Sequence, residues 1–218
     1  MTWDNDFAIS ILPDLLAGLW VTVKITLLSM ALALALGLLV AVIRYLKIPL
    51  LSAALTFYVL FVRGTPLLVQ AYLVYYVLPE YGITLSTFLT GVIVLGVNYS
   101  AYTAEVYRAG IEGVDKGQWE AATALSLSPR RTWGRVVLPQ AVKTVVPVLG
   151  NYLIQMFKDS AVLFAITVVE LMRTANTIGS REFRYLEPFT IAAFMYLAVS
   201  YTSALLVKRL EHRYAPGH

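Results

Sequence analysis

Long apolar stretches without a charged residue dominate the chain. Two of them are residues 27–43, with seventeen residues, and residues 189–207, with nineteen. A helix needs about 20 mainly apolar residues to cross a hydrocarbon core of about 30 Å. With 59% hydrophobic and 14% charged residues, the 218-residue chain is far from the balance of a soluble domain. We therefore expect an all-α integral membrane protein.

The spacing of the apolar runs predicts about five transmembrane helices. Residues 17–43, 83–104 and 189–207 read as continuous spans. The second span is interrupted at residues 63–66, where a glycine and a proline lie two residues apart, and the fourth at Lys158 and Asp159. A break at membrane depth must be buried against protein or face water, so interrupted helices tend to mark transport sites.

Basic residues divide unevenly between the two sides of this arrangement. Twelve of the seventeen lie on one side: Arg44, Lys47, Arg63, Arg108, Lys116, Arg130, Arg131, Arg135, Lys143, Lys208, Arg209 and Arg213. Loops rich in lysine and arginine stay in the cytoplasm. The sequence therefore predicts an outside N-terminus and a cytoplasmic C-terminus. The N-terminal segment lacks the basic opening of a cleavable signal peptide, so we expect the first span to serve as the targeting signal.

Residues 118–139 form a polar island between two apolar runs. Trp119, Ala122 and Leu125 recur every three residues and place an apolar stripe on one helix face. Ser128 and Pro129 suit the N-cap and first position of a second helix. The island predicts a cytoplasmic helix–turn–helix hairpin that docks on a partner. A plain link between two spans would be shorter and would not need the stripe.

Three separated motifs carry a family resemblance. The hairpin pattern resembles the EAA loop of permease subunits of bacterial ABC importers, and its residues are Glu120, Ala121, Ala122, Ser126, Val136, Leu138 and Pro139. Residues 63–70 (RGTPLLVQ) and 102–110 (YTAEVYRAG) are similar to polar amino-acid uptake permeases. The family usually has glycine where this chain has Ser126, which removes the most permissive residue from the turn.

The resemblance implies one permease domain over residues 1–218, with a coupling loop at about 113–139, in the bacterial inner membrane. It implies two cytoplasmic ATPase subunits that grip the hairpin, a solute-binding protein outside, and a second permease that is either a copy or a sister chain. The coupling residues are then Trp119, Glu120, Ala121, Ala122, Ser126 and Pro139. No cofactor is expected in this chain. ATP and Mg²⁺ belong on the partner subunits, since this sequence has no phosphate-binding Gly-Lys-Ser/Thr loop.

Two further stretches resemble the ectoine and hydroxyectoine branch of this family. They are residues 3–16, which begin Trp3-Asp4, and residues 180–188 (SREFRYLEP). The expected substrate is therefore a polar amino acid or an amino-acid-like compatible solute.

Polar side chains recur at helical spacing within the predicted spans. Asn98, Tyr102 and Glu105 fall at i, i+4 and i+7 on one stripe of the third span, where Gly91 and Gly96 permit close helix packing. A second polar face lies around the interruption of the fourth span. The predicted substrate path comprises Gln70, Asn98, Tyr102, Glu105, Gln155, Lys158 and Asp159.

These residues suit a zwitterion. Lys158 is expected to meet its carboxylate, and Glu105 or Asp159 its cationic group. Structural alternatives remain open at two points: Asn98 joins two helices by a hydrogen bond, or Lys158 and Asp159 pair with each other or with Glu170 to fix a bend.

Other classes of function receive less support. The chain has no cysteine, and its two histidines, His212 and His218, lie in the tail, which disfavours disulfide, thiol and metal chemistry. An ion-coupled secondary carrier would use the same charged residues, but such carriers show paired repeats and more spans. An intramembrane hydrolase built on Ser160 and Lys158 would need a nucleophile turn and an oxyanion loop, and neither is recognisable.

Overall fold

The computed structural model describes residues 2–214, with side chains up to Arg209, so that His212, Arg213 and His218 lie outside the described side chains. Within this range the chain is helical and contains no strand. The helices are α1 (Asn5–Ser10), α2 (Leu12–Tyr45), α3 (Leu51–Gly64), α4 (Leu67–Tyr72), α5 (Thr87–Glu112), α6 (Lys116–Ala124), α7 (Pro129–Thr132), α8 (Leu138–Asp159), α9 (Leu171–Glu182) and α10 (Leu186–Tyr214). A π-helical turn (Trp133–Val137) joins α7 to α8, and a 3₁₀ helix (Ser160–Ile166) continues α8.

Three helical stretches in the described range are long and apolar enough to span a membrane: Leu12–Tyr45, Pro129–Ile166 and Leu186–Arg209. The pair Leu51–Gly64 and Leu67–Tyr81 passes the same test together, bent by 108°. Helix α5 has 26 residues, enough length to cross, but it is less apolar because polar and charged residues lie along it. Five crossings follow when α5 is counted with these four.

The two predicted interruptions turn out differently. The first is a sharp break, because Thr65 and Pro66 adopt extended backbone between α3 and α4. The second is only a change of helix type, since Lys158 and Asp159 belong to the last turn of α8 and the chain continues as a 3₁₀ helix. The N–H of Ser160 still donates to the carbonyl of Met156. No backbone group is therefore freed at the charged pair.

Helices α2 and α5 pack closely at the centre of the molecule. A Cβ on Gly37 would lie 2.0 Å from Oγ1 of Thr103, and one on Gly96 would lie 2.6 Å from a methyl carbon of Leu32. Thr103 donates a hydrogen bond of 2.8 Å to the carbonyl of Ala33 on α2. Small residues and short hydroxyls hold membrane helices together in this way, because lipid provides no hydrophobic drive between them. The predicted role of Gly91 and Gly96 in close packing is confirmed.

The N-terminal segment is tied to the start of α10. Arg184 pairs with Asp4 at 3.1 Å and with Glu187, and its guanidinium carbon lies 4.9 Å from the centre of the Phe7 ring. The hydrogen bond from the N–H of Phe7, and then Arg184, hold the pKa of Asp4 below its ordinary value. Residues 3–16 and 180–188 therefore contact each other directly.

Candidate functional site: a polar cavity beside the helix break

Gln70 closes the break between α3 and α4. Its side-chain nitrogen donates to the carbonyls of Val62 at 2.9 Å and Thr65 at 3.2 Å, and to Oγ1 of Thr65 at 2.8 Å. Its amide oxygen accepts a 3.0 Å hydrogen bond from Nδ2 of Asn98 on α5. Gln70 thus satisfies two backbone carbonyls at the break from within the protein. The structural alternative for Asn98, a hydrogen bond between helices, is what the structure shows.

A cavity of about 480 Å³ opens beside this break. Its volume is in the range of small-molecule sites. Its walls come from the α3–α4 break, α5 and α8: Arg63, Gly64, Thr65, Pro66, Leu67, Asn98, Tyr99, Tyr102, Tyr152, Gln155 and Asp159. Four of the predicted path residues, Asn98, Tyr102, Gln155 and Asp159, are among them. Gln70 does not line the cavity, but it hydrogen-bonds to two residues that do, Thr65 and Asn98.

Three tyrosines form one side of the cavity. The ring centres of Tyr99, Tyr102 and Tyr152 lie 5.8 to 6.0 Å apart in all three pairs. Their rings offer negative π faces, and their hydroxyls add polar tips. The guanidinium carbon of Arg63 already lies 5.3 Å from the centre of the Tyr102 ring. A second cation would find similar faces here.

Asp159 supplies the negative charge of the cavity. Its carboxylate accepts a 2.6 Å hydrogen bond from the hydroxyl of Tyr99 and a 3.0 Å hydrogen bond from Nε2 of Gln155. Both donors are neutral. Among the side chains described up to Arg209, no basic group comes within 4.0 Å of Asp159 or any acidic group of Arg63. The cavity therefore contains one unpaired carboxylate and one unpaired guanidinium.

Two predicted path residues lie elsewhere. Glu105 pairs with Arg44 of α2 and, at 2.7 Å, with Arg108, so its charge is used within the protein. Lys158 is exposed and lines a separate cavity of about 310 Å³ beside Tyr196. Neither residue lines this cavity in the single chain, and their place on the substrate path stays a prediction.

The alternative pairing of the charged residues on α8 is also absent. Glu170 accepts hydrogen bonds from the N–H groups of Met172 at 2.9 Å and Arg173 at 2.7 Å and from the hydroxyl of Tyr196 at 2.8 Å. It caps α9 and makes no ion pair with Lys158 in the described part of the chain.

Seven lining residues were not among the predicted path residues, and three of them, Arg63, Tyr99 and Tyr152, have side chains with a role in the proposed chemistry. Arg63 entered the sequence analysis through the charge asymmetry and the motif at residues 63–70, although its place at the helix break was a signal for a site. The tyrosines carry no sequence signal, because aromatic residues in spans are usually packing residues.

The hairpin forms as predicted, with α6, a turn at residues 125–128, and α7 starting at Pro129. Its apolar stripe is divided. Ala122 is buried and Trp119 half-buried against Trp133 and Val137, whereas Leu125 is 73% exposed. Two of the three residues of the predicted docking stripe are therefore used within the hairpin. The surface left for a partner includes Glu120, Ala121 and Leu125, with Pro139 exposed at the start of α8.

Ser126 adopts a left-handed backbone with φ of 52°. This conformation costs a non-glycine residue about 1 kcal/mol. We expect Ser126→Gly to raise the free energy of unfolding by about that amount, seen as a higher melting temperature of the purified permease. Ser128→Gly is the matched control, since Ser128 has φ of −63° and gains nothing from glycine. An unchanged or lower melting temperature for Ser126→Gly would contradict the strain.

A bundle of apolar helices that encloses a polar cavity at a broken span is the architecture of a membrane permease. Residues 14–216 match the binding-protein-dependent transport system inner membrane components. A probable amino-acid ABC transporter permease of Sinorhizobium fredii is 45% identical, with 96% of this chain and 93% of the relative covered. The L-cystine transport system permease TcyB of Bacillus subtilis is 37% identical over 92% of this chain and 86% of its own.

A crystal structure of an amino acid ABC transporter with histidines superposes with a TM-score of 0.93 at 38% identity, and the match covers 98% of this chain and 100% of that one. The chain thus belongs to the binding-protein-dependent transport family, as a permease subunit of an amino-acid ABC transporter. The carrier and hydrolase alternatives fall away with this membership.

Proposed function

We propose that this permease forms the membrane path for a zwitterionic solute, a polar amino acid or an amino-acid-like compatible solute such as ectoine, delivered by a solute-binding protein. Two separate cytoplasmic subunits hydrolyse ATP with Mg²⁺. The hairpin transmits their movement to the membrane spans. The similarity to amino-acid permeases supports the class of substrate.

One observation carries the proposal: the cavity holds unpaired charges of both signs. A substrate carboxylate binds Arg63, whose planar guanidinium matches it with two parallel hydrogen bonds. A cationic group of the substrate lies near Asp159 and the tyrosine faces, where charge and π attraction act together. Gln155 and Tyr99 hold the Asp159 carboxylate in place by their hydrogen bonds. In this proposal Arg63 binds the substrate carboxylate in place of Lys158, and Asp159, held by Gln155 and Tyr99, binds the cationic group in place of Glu105.

Transport by the whole complex tests the proposal. The tagged permease is purified from its own membranes with its bound ATPase and placed in proteoliposomes with the solute-binding protein. Uptake of radiolabelled L-histidine, L-cystine, L-glutamine and ectoine is then measured with and without ATP. We expect ATP-dependent uptake of at least one of the four only when the binding protein is present. Uptake of none, or uptake without ATP, would refute the proposal.

A second permease is needed to cover the polar face of α8. Asn151 and Gln155 are both exposed in the single chain, and polar side chains facing lipid at membrane depth are costly. We propose that a second permease, a copy or a sister chain, faces this stripe across the transport path. Asn151→Cys, in a chain without native cysteine, carries a thiol-linked photo-reactive cross-linker that bonds to any chain facing it. A cross-linked homodimer indicates a copy, a cross-link to another chain indicates a sister, and no cross-link at all contradicts the placement.

The orientation follows the charge asymmetry of the loops, with the N-terminus outside. Single cysteines at Asp4 and at Lys116 report it through an impermeant reagent. In intact cells we expect labelling at position 4 and none at position 116. The reverse pattern would overturn the orientation.

A further inference from the structure

We propose that Trp133 transmits movement of the hairpin to the two spans that pack at the centre of the molecule, α2 and α5. This inference rests on the proposed coupling role of the hairpin. Trp133 is not one of the residues on which the family resemblance was based. Those residues precede it, up to Ser126, or follow it, from Val136 onward. Its role is to position other groups, since it does not line the cavity.

The Trp133 ring bridges α6 and the end of α2, which share no other aromatic pair among the side chains of residues 2–209. Its centre lies 5.4 Å from that of Trp119 on α6, with the planes at 82°. On its other side it lies 5.2 Å from the ring of Tyr45, the last residue of α2, at 89°. Edge-to-face pairs of this kind have a defined mutual geometry. A tilt of α6 therefore pushes or pulls the end of α2 through one ring.

The rest of the hairpin core fixes Trp133 in place. Val114, Val137 and Ala141 are buried beneath it, and Ile111 packs at their side. Ile111 lies in the last turn of α5 and Val114 just after it, whereas Val137 ends the π-helical turn and Ala141 lies in the first turn of α8. Closely packed cores shift between discrete arrangements and do not deform continuously. Hairpin movement thus reaches α5 and α8 as well.

The backbone at Trp133 is specialised. Trp133 opens the π-helical turn, in which the N–H of Leu138 donates to the Trp133 carbonyl five residues earlier. One residue more than in an α-helical turn rotates the preceding segment by about 100° relative to α8. This rotation lets Trp133 face the end of α2 while Val137 and Ala141 face the core. Such turns are rare and concentrate at functional sites.

An ion pair continues the connection from α2 into α5. Arg44, the neighbour of Tyr45, pairs with Glu105, and both side chains are largely shielded, at 16% and 19% exposure. Glu105 lies one turn from Tyr102, which lines the cavity and holds Arg63. The turns of one continuous helix move together. The series Trp119, Trp133, Tyr45 with Arg44, and Glu105 therefore links the hairpin to the cavity wall.

The first test compares ATP use with transport in the reconstituted complex, with L-histidine, L-cystine, L-glutamine and ectoine as probes. Trp133→Ala should assemble with the ATPase and hydrolyse ATP, but move at least tenfold less substrate per ATP than the wild type. Trp133→Phe should recover most of that ratio, since it keeps a ring. Trp20→Ala is the matched control, because Trp20 is 61% exposed on α2 and far from the hairpin core in sequence; it should leave the ratio unchanged.

A second variant guards against misfolding. Tyr45 is 46% exposed, so Tyr45→Ala removes the far end of the series with little loss of burial. It should lower the ratio as well, and the double variant with Trp133→Ala should be no worse than Trp133→Ala alone. An unchanged ratio in Tyr45→Ala, or simple multiplication of the two effects, would refute the proposal.

A measurement without transport substrate tests this inference independently of the proposed substrate class. Nitroxide labels at Leu46→Cys and Thr123→Cys, both exposed positions, report the distance between the end of α2 and the hairpin. In the wild-type background the distribution of this distance should stay narrow when ATP binds, because the end of α2 and the hairpin move as one body. With Trp133→Ala the distribution should broaden. An equally narrow distribution in both would refute the link even if every transport assay succeeds, and uptake of none of the probes would refute only the substrate class.

Discussion

Asparagine in place of Asp159 should reduce uptake of the transported solute by about tenfold to a hundredfold. The exchange removes the only unpaired carboxylate of the cavity while keeping an oxygen that accepts from Tyr99 or Gln155. A hydrogen bond to a charged group contributes about 1.5–3 kcal/mol, which corresponds to that range of rates. Uptake at subsaturating solute in proteoliposomes measures it, with basal ATP hydrolysis and melting temperature expected to stay at the wild-type level.

The neighbouring residue supplies the control. Lys158→Met removes a charge next to Asp159 in sequence but outside the cavity, and it should leave uptake within about twofold of the wild type. Gln155→Ala should fall between the two, because it frees the Asp159 carboxylate without removing its charge. Equal losses in Lys158→Met and Asp159→Asn would show that the cavity is not the substrate site.

Lysine in place of Glu120 should abolish most coupled transport, with uptake at least tenfold lower. Glu120 is exposed on α6 beside Ala121 and close to Leu125, on the surface that the hairpin core leaves free. A reversed charge at the centre of a docking surface opposes the partner that the native charge suits. Recovery of the ATPase with the tagged permease should fall together with uptake.

The same exchange elsewhere separates docking from general damage. Glu80→Lys reverses an exposed charge in the 3₁₀ helix Leu78–Tyr81 between α4 and α5, on the opposite side of the membrane in the proposed orientation. It should leave ATPase recovery unchanged. If Glu120→Lys recruits the ATPase and transports normally, Glu120 has no part in coupling, whatever the outcome for Trp133.

Local features of the sequence were sufficient to predict the membrane spans and the hairpin. A charge-free run of spanning length has few alternatives to a membrane helix, since unbonded backbone is not tolerated in lipid. Pro66 lacks an N–H and restricts the residue before it, so the break at α3 was readable. Ser128 and Pro129 marked the start of α7 because their preference for a helix start is local.

The tertiary structure decided which polar residues share the site. Helical spacing correctly placed Asn98, Tyr102 and Glu105 on one face of α5. Residues on one face still lie at different heights along the helix axis. Glu105 lies about 10 Å along the axis from Asn98, at the level where α2 brings Arg44 against it. Spacing alone does not reveal which neighbour a helix meets at each level.

The same limit applies to Lys158 and Asp159. Successive residues of a helix point about 100° apart, so adjacent charges need not face the same cavity. Gln155 bonds to Asp159, four residues on, and this bond turns Asp159 toward Tyr99 of α5, while Lys158 faces α10 beside Tyr196. The sequence determined that a charged pair lies at the end of α8. Only the packing of α5 and α10 on either side of it decided which charge belongs to the site.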